Sequence, residues 1–90
     1  MQERPESEEA DRDYQDGYSR IMSFAAYAKA RGWKLSDRQL THEILQRERA
    51  ALIRERSSLP VIGRSNYSAA FNRGQADALR AVLREQRKVR

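Results

Sequence analysis

His42 is the chain's single imidazole, and the chain has no cysteine. A lone histidine becomes a general base only when a nucleophile and an orienting carboxylate stand beside it, and no serine and aspartate are spaced to complete such a set. Thiolate and ordinary histidine-based zinc sites are excluded for the same want of ligands. No paired carboxylates suggest acid–base work. The expectation is therefore a chain that is not an enzyme and carries no cofactor or metal. Glu48 is the one acid whose position stands out. It falls near the centre of an arc that also holds Ile44, Leu45, Ala51 and Leu52. A carboxylate placed there needs a partner, an arginine or tyrosine from a neighbouring helix, which would fix helix register.

Arginine supplies the chemistry that remains. At about 100° per residue, Arg73, Arg80, Arg84, Arg87 and Lys88 fall in one arc of a helix. Such a ridge can neutralise successive phosphates, and guanidinium groups add bidentate contacts. The plain alternative is a solvated face on which Asp77 pairs with Arg73 and Arg80 at helical spacing. Arg38, Arg49 and Arg56 share one side of the preceding helix, with His42 beside them. The segment Gly63-Arg64-Ser65-Asn66-Tyr67-Ser68 brings Arg64 and hydroxyl groups to a helix start, where free N–H groups could hold a phosphate. It lacks the P-loop spacing and its Lys-Ser/Thr pair. Capping by Ser65 or Asn66 explains it without a ligand.

A second constellation mixes aromatic and basic side chains. Phe24 and Tyr27 lie away from the main apolar stripe of their helix, near Arg20 and Arg31. Aromatic rings beside arginine are the composition of interface hot spots and of base-stacking platforms. The competing assignment puts both rings in the core. Arg20, Phe24, Tyr27 and Arg31 are the expected protein-contact residues.

The elements that must position these groups are three helices, over about 11–31, 37–56 and 66–87. In the first, Tyr14, Tyr18, Ile21, Met22, Ala25 and Ala28 share a face, and Gly32 stands at a natural stop with Trp33 placed to fold back. Ser36 and Gln39 form a capping box for the second, with Leu35 and Leu40 set for a hydrophobic staple. Leu40, Ile44, Leu45, Ala51 and Leu52 make its predicted buried stripe. A connection holding Pro60 and Gly63 follows, its Leu59, Val61 and Ile62 expected to cap one end of the core. The third helix turns Tyr67, Phe71, Ala78, Leu79, Val82 and Leu83 inward. An internal echo sets Tyr14-x-x-Gly17 against Phe71-x-x-Gly74. A mid-helix glycine costs about 1 kcal/mol against alanine, so a packing reason is expected, namely a crossing of the first and third helices at these glycines. The fold class is all-α, a three-helix bundle with neighbours antiparallel where loops are short. Residues 1–10 form a flexible acidic arm and 11–90 a single domain.

Charge is unevenly distributed. Residues 1–16 hold seven acids and two arginines, while the rest holds sixteen basic residues and six acids, so a net of −5 adjoins one of +10 within the total of +5. A basic body of this kind attracts polyanions or acidic surfaces with strong salt dependence. The polar, acidic N-terminus is the opposite of a signal peptide, and the apolar runs are too short to span a bilayer, which predicts a soluble cytoplasmic protein with no membrane partner. A thin core at 90 residues also makes a homodimer a fair expectation. No glycine-containing turn interrupts the second helix, so no helix-turn-helix is evident.

In size and composition the chain resembles small basic helical accessory proteins of phages and mobile elements, although no motif ties it to one family. The thin core, the off-stripe Phe24 and Tyr27 and the lack of a catalytic set point to an adaptor or inhibitor that docks on a host protein or nucleoprotein complex. The alternative is a direct DNA- or RNA-binding protein using the ridge on the third helix, with the acidic arm competing for it.

Overall fold

Pro5 opens the first helix, where its fixed φ suits the helix and its missing N–H is not needed. The computed structural model describes residues 5–56 and 68–88, with side chains from residue 9 of the first stretch. Three helices result: α1 over Pro5–Ala30, α2 over Asp37–Arg56 and α3 over Ala69–Lys88. Among the described residues there is no strand, and the fold is an all-α three-helix bundle. α1 starts six residues earlier than the apolar spacing predicts, because helix can extend through polar sequence that buries nothing. Residues 1–4 of the expected arm lie outside the described residues. So do the connection with Leu59, Pro60, Val61, Ile62 and Gly63, the Ser65 and Asn66 caps, and Arg64 and Tyr67.

Local chemistry fixes each described helix end. Gly32 takes φ of 74°, the left-handed region that glycine enters without a Cβ clash. Its N–H bonds the Lys29 carbonyl at 3.1 Å, and the Trp33 N–H returns to the Ala28 carbonyl at 2.9 Å. Together these bonds close a Schellman motif. At the start of α2 the Ser36 Oγ accepts the Gln39 N–H at 3.0 Å. Leu35 and Leu40 both join the core cluster. Ser36→Ala should lower stability by about 1 kcal/mol, read as a shift of the urea midpoint with unchanged slope. The cap of α3 is Ser68, later than the predicted start near Ser65 or Asn66. Its Oγ accepts the Phe71 N–H at 3.1 Å and donates to Asp13 Oδ2 at 2.7 Å, so α1 helps to decide where α3 begins.

α3 is the middle helix. α1 and α2 each pack against it and make no close backbone contact with one another. Paired residues show the directions. Gly17 meets Phe71 and Ile21 clusters with Leu79, so α1 runs parallel to α3. Glu55 meets Arg73, Glu48 meets Arg80 and Asp37 meets Arg87, so α2 runs antiparallel to it. The short connection between α1 and α2 therefore joins oppositely directed helices that lie on two sides of a third.

The α1–α3 crossing is built on the two glycines, as the internal echo predicts. A methyl added at Gly17 would run into the Phe71 carbonyl oxygen, with the Phe71 carbonyl carbon at 3.1 Å. One added at Gly74 would run into the Tyr14 carbonyl oxygen, with the Tyr14 carbonyl carbon at 2.9 Å. The arrangement is reciprocal: each glycine lies against the carbonyl of the aromatic residue that precedes the other glycine by three positions. Two parallel helices related by a local twofold meet in this way.

Small residues also dominate the rest of the packing. Ala28, Ala51, Ala76 and Ala78 are all but sealed, while Ile21, Leu40, Ile44, Phe71 and Leu79 are the larger buried residues. Tyr18, Leu35, Val82 and Leu83 pack against this cluster half-buried. Three expected core residues lie outside it: Met22 is 39% exposed, Leu52 45% and Leu45 59%. α2 makes close backbone contact only with α3, so its buried stripe is narrow and runs through Leu40, Ile44 and Ala51. Leu45 and Leu52 fall about 100° round the helix from Ile44 and Ala51, outside that stripe, and Ile53 is exposed as well. Among the described residues no helix is long and apolar enough to cross a membrane.

Candidate functional site

The predicted arginine ridge of α3 is divided in two by the fold. Arg73, Arg80 and Arg87 recur one heptad apart and face α2. Arg73 reaches Glu55 at 2.5 Å, Arg80 reaches Glu48 at 2.6 Å, and Arg87 reaches Asp37 at 3.5 Å. They form a ladder of cross-helix pairs, like the flanking charges of a coiled coil. Lys88 lies 3.9 Å from Glu85 on its own helix. Arg84 is exposed and makes no ion pair with another described residue. Four of the five expected polyanion contacts on this helix thus face the chain's own carboxylates.

Glu48 finds the arginine partner that its position demands, though it is only half-buried. The pair belongs to a polar chain through all three helices. Tyr14 on α1 donates its hydroxyl to Asp77 Oδ2 at 2.5 Å, Asp77 accepts from Arg80 at 3.0 Å, and Arg80 meets Glu48 on α2. The hydrogen bond to Asp77 raises the Tyr14 pKa, helped by burial and by the carboxylate's charge. That of Arg80 is raised chiefly by its hydrogen bond to Glu48. Asp77 pairs with Arg80 as the sequence suggests, whereas Arg73 turns to Glu55. Gln86 fastens the far end, donating to the Leu35 carbonyl at 2.5 Å and to Asp37 Oδ1 at 2.9 Å. These exposed pairs are worth a few tenths to about 1 kcal/mol each. A double-mutant cycle on Arg80→Ala and Glu48→Ala should return a coupling of about 0.5 kcal/mol that shrinks in high salt. Zero coupling at low salt would remove the ladder as a determinant of register.

On α2 the sorting is sharper. The carboxylates of Asp37, Glu43, Glu48 and Glu55 all engage internal cations, Glu43 through Arg47. Arg47 also donates to Gln75 at 3.1 Å. Arg38, Arg49 and Arg56 lie on the exposed side without an ion pair to another described residue. His42 bonds Gln46 at 3.1 Å on that surface. No cluster of three or more His, Asp or Glu side chains that could hold a metal ion occurs among the described residues.

The aromatic constellation gathers at the C-terminal end of α1. Phe24 and Tyr27 are each 50% exposed and Trp33 is 52% exposed. Tyr27 and Trp33 meet edge-to-face at 5.6 Å, and the Arg31 guanidinium lies 4.5 Å from the Tyr27 ring centre. The Schellman turn brings Trp33 there. The sequence reading placed it at the helix end but did not assign it to the patch. Arg20 lies elsewhere, paired with Asp16 at 3.3 Å and 5.6 Å from the ring centre of buried Phe71. Because α1 and α2 stand apart, a groove of about 360 Å³ opens between them above α3. Leu79 and Val82 lie at its floor, Ile21 and Ala25 on one wall, Leu40 on the other, with Phe24 at its rim.

Comparison with protein-family models, curated proteins and solved structures returns no match. Function has to be read from the chain's own surface.

Proposed function

We propose that this chain is a non-enzymatic binding protein, a small basic adaptor or inhibitor that docks on a larger protein or nucleoprotein complex in the cytoplasm. The observation that supports it is the contrast between the two predicted contact surfaces. The cations of the α3 ridge largely face internal carboxylates, while Phe24, Tyr27 and Trp33 stand half in water, with Tyr27 held between Trp33 and Arg31. Rings held rigid with half their area unused are the anchors that protein interfaces employ. In this reading the groove beside Phe24 receives apolar side chains of the partner. Capture from host lysate, with and without nuclease, tests it. A partner protein should be retained after nuclease treatment and lost with the Phe24→Ala/Tyr27→Ala protein. Retention that vanishes on nuclease treatment and is indifferent to the two rings would refute it.

A second reading has one observation in its favour. Arg80, Arg84, Arg87 and Lys88 line a shallow recess with Leu83 near the end of α3. This concave basic surface suits DNA or RNA phosphate, although cations also favour a helix C-terminus for its dipole alone. Asp13 and Asp16 are already bound, to Ser68 and Arg20, so competition by the acidic segment would fall to its other acids. Titration with single- and double-stranded oligonucleotides at low salt separates the readings; absence of binding there ends the second.

A further inference from the structure

We propose that the outward face of α2 is a docking surface for an acidic amphipathic helix from a partner protein, distinct from the aromatic patch on α1. Three features place it there. The first is spacing: Arg38, Leu45 and Leu52 recur one heptad apart, and Arg49 and Arg56 continue the alternate position between and beyond them. At that spacing these residues share one face of the helix with His42, so the two leucines are interleaved with cations instead of forming a wholly apolar seam. The second is exposure. Leu45 is 59% exposed, Leu52 45% and Ile53 61%, and none of them belongs to the core cluster. The third is charge. Every carboxylate of α2 is paired with an arginine of this chain, whereas Arg38, Arg49 and Arg56 make no ion pair with another described residue. The face therefore presents leucine and isoleucine among guanidinium groups, and the acids that border it, Glu48 and Glu55, are already paired with Arg80 and Arg73.

That combination chooses its occupant. A second copy of α2 would repeat the same cations and bring only carboxylates that are already paired within its own chain. The chain's own acidic segment, residues 9–16, could answer the charge, but its larger apolar residue, Tyr14, is already fastened to Asp77. Phosphate would satisfy the arginines and leave Leu45, Leu52 and Ile53 in water. A helix with apolar residues along one seam and glutamates on its flanks satisfies both parts of the face, burying the leucines while its carboxylates reach the guanidinium groups. Two docking faces on different helices would make the protein a bridge between partners, and this α2 site stands whether or not the α1 patch binds.

The test uses a fluorescent three-heptad synthetic peptide with leucine along its seam and glutamate on both flanks, titrated by anisotropy against the full chain at low salt. The wild-type chain should bind it. Leu45→Ser/Leu52→Ser should weaken binding at least about tenfold, since interface anchors of this size contribute that much or more. Arg49→Ser/Arg56→Ser should weaken it and flatten its salt dependence, and a version of the peptide with lysine flanks should not bind. All four positions face solvent, so the circular dichroism of each variant should match wild type. No binding of the glutamate peptide, equal binding of the lysine version, or binding indifferent to the two leucines would each overturn the proposal. So would an oligonucleotide that occupies this face, competes with the peptide and depends on the arginines but not the leucines.

Discussion

Gly74→Ala should destabilise the fold by about 3 kcal/mol or more, lowering the thermal midpoint by roughly 15 °C for a domain of this size. The sign is the informative part. In the middle of an ordinary helix, glycine to alanine stabilises by about 1 kcal/mol, because alanine loses less backbone entropy on folding. Here the new methyl would meet the Tyr14 carbonyl group, with its carbon at 2.9 Å and the Tyr14 Cα at 3.1 Å. These are backbone atoms that cannot rotate aside. Only separation of α1 from α3 relieves the clash, and that opens contacts around Ile21, Ala28 and Ala78. Gly17→Ala meets the same obstacle at Phe71. Once either methyl has parted the helices the other finds room, so the double variant should lose less than the sum of the singles. Gly32 gives a contrast. It has open space around it, and its replacement meets only the strain of a positive φ, of order 1–2 kcal/mol. Chemical unfolding of the four proteins decides the matter; a Gly74→Ala protein as stable as wild type would mean that the helices do not cross here.

That crossing was legible in the sequence because an aromatic residue three positions before a glycine is a local pattern, and a mid-helix glycine is unfavourable unless a backbone approaches it. The stop at Gly32 and the start at Ser36 were legible for the same reason: each depends on a few consecutive residues bonding one another. What could not be read was anything decided by partners far along the chain. α2 carries Leu40, Ile44, Leu45, Ala51, Leu52 and Ile53 around much of its circumference. Which of them are buried follows from α2 meeting one helix rather than two. The ridge shows the same dependence. Arg80 and Asp77 are a visible helical pair, but Glu48, Glu55 and Asp37 come opposite Arg80, Arg73 and Arg87 only once α2 runs antiparallel to α3. The patch of Arg31, Phe24 and Tyr27 was readable as off-stripe rings beside a cation, and Trp33 joins it through the turn.

Phe24→Ala/Tyr27→Ala should reduce affinity for the partner by about 100-fold or more while leaving the protein folded. A buried aromatic side chain contributes on the order of 150–250 Å², and each ring is 50% exposed in the free chain, so roughly 75–125 Å² per ring remains to be covered. At about 25 cal/mol per Å² the pair offers some 4–6 kcal/mol before ordering costs. Tyr27 is already held by Trp33 and Arg31, so little of its rotamer entropy is lost on docking, whereas Phe24 still has its ordering cost to meet. A net loss of about 3 kcal/mol corresponds to the 100-fold change. Stability should move far less than in the glycine variants, because neither ring belongs to the buried cluster of Ile21, Leu40, Ile44 and Leu79. Tyr27→Phe keeps the ring and should retain most of the affinity. Arg84→Glu alters the basic recess, and a partner held by the aromatic patch should tolerate it, whereas a polyanion should not. The decisive comparison is therefore between the aromatic double variant and Arg84→Glu in the same capture experiment. If the partner survives the first change and is lost with the second, the rings are surface aromatics without a binding role and the basic recess is the contact.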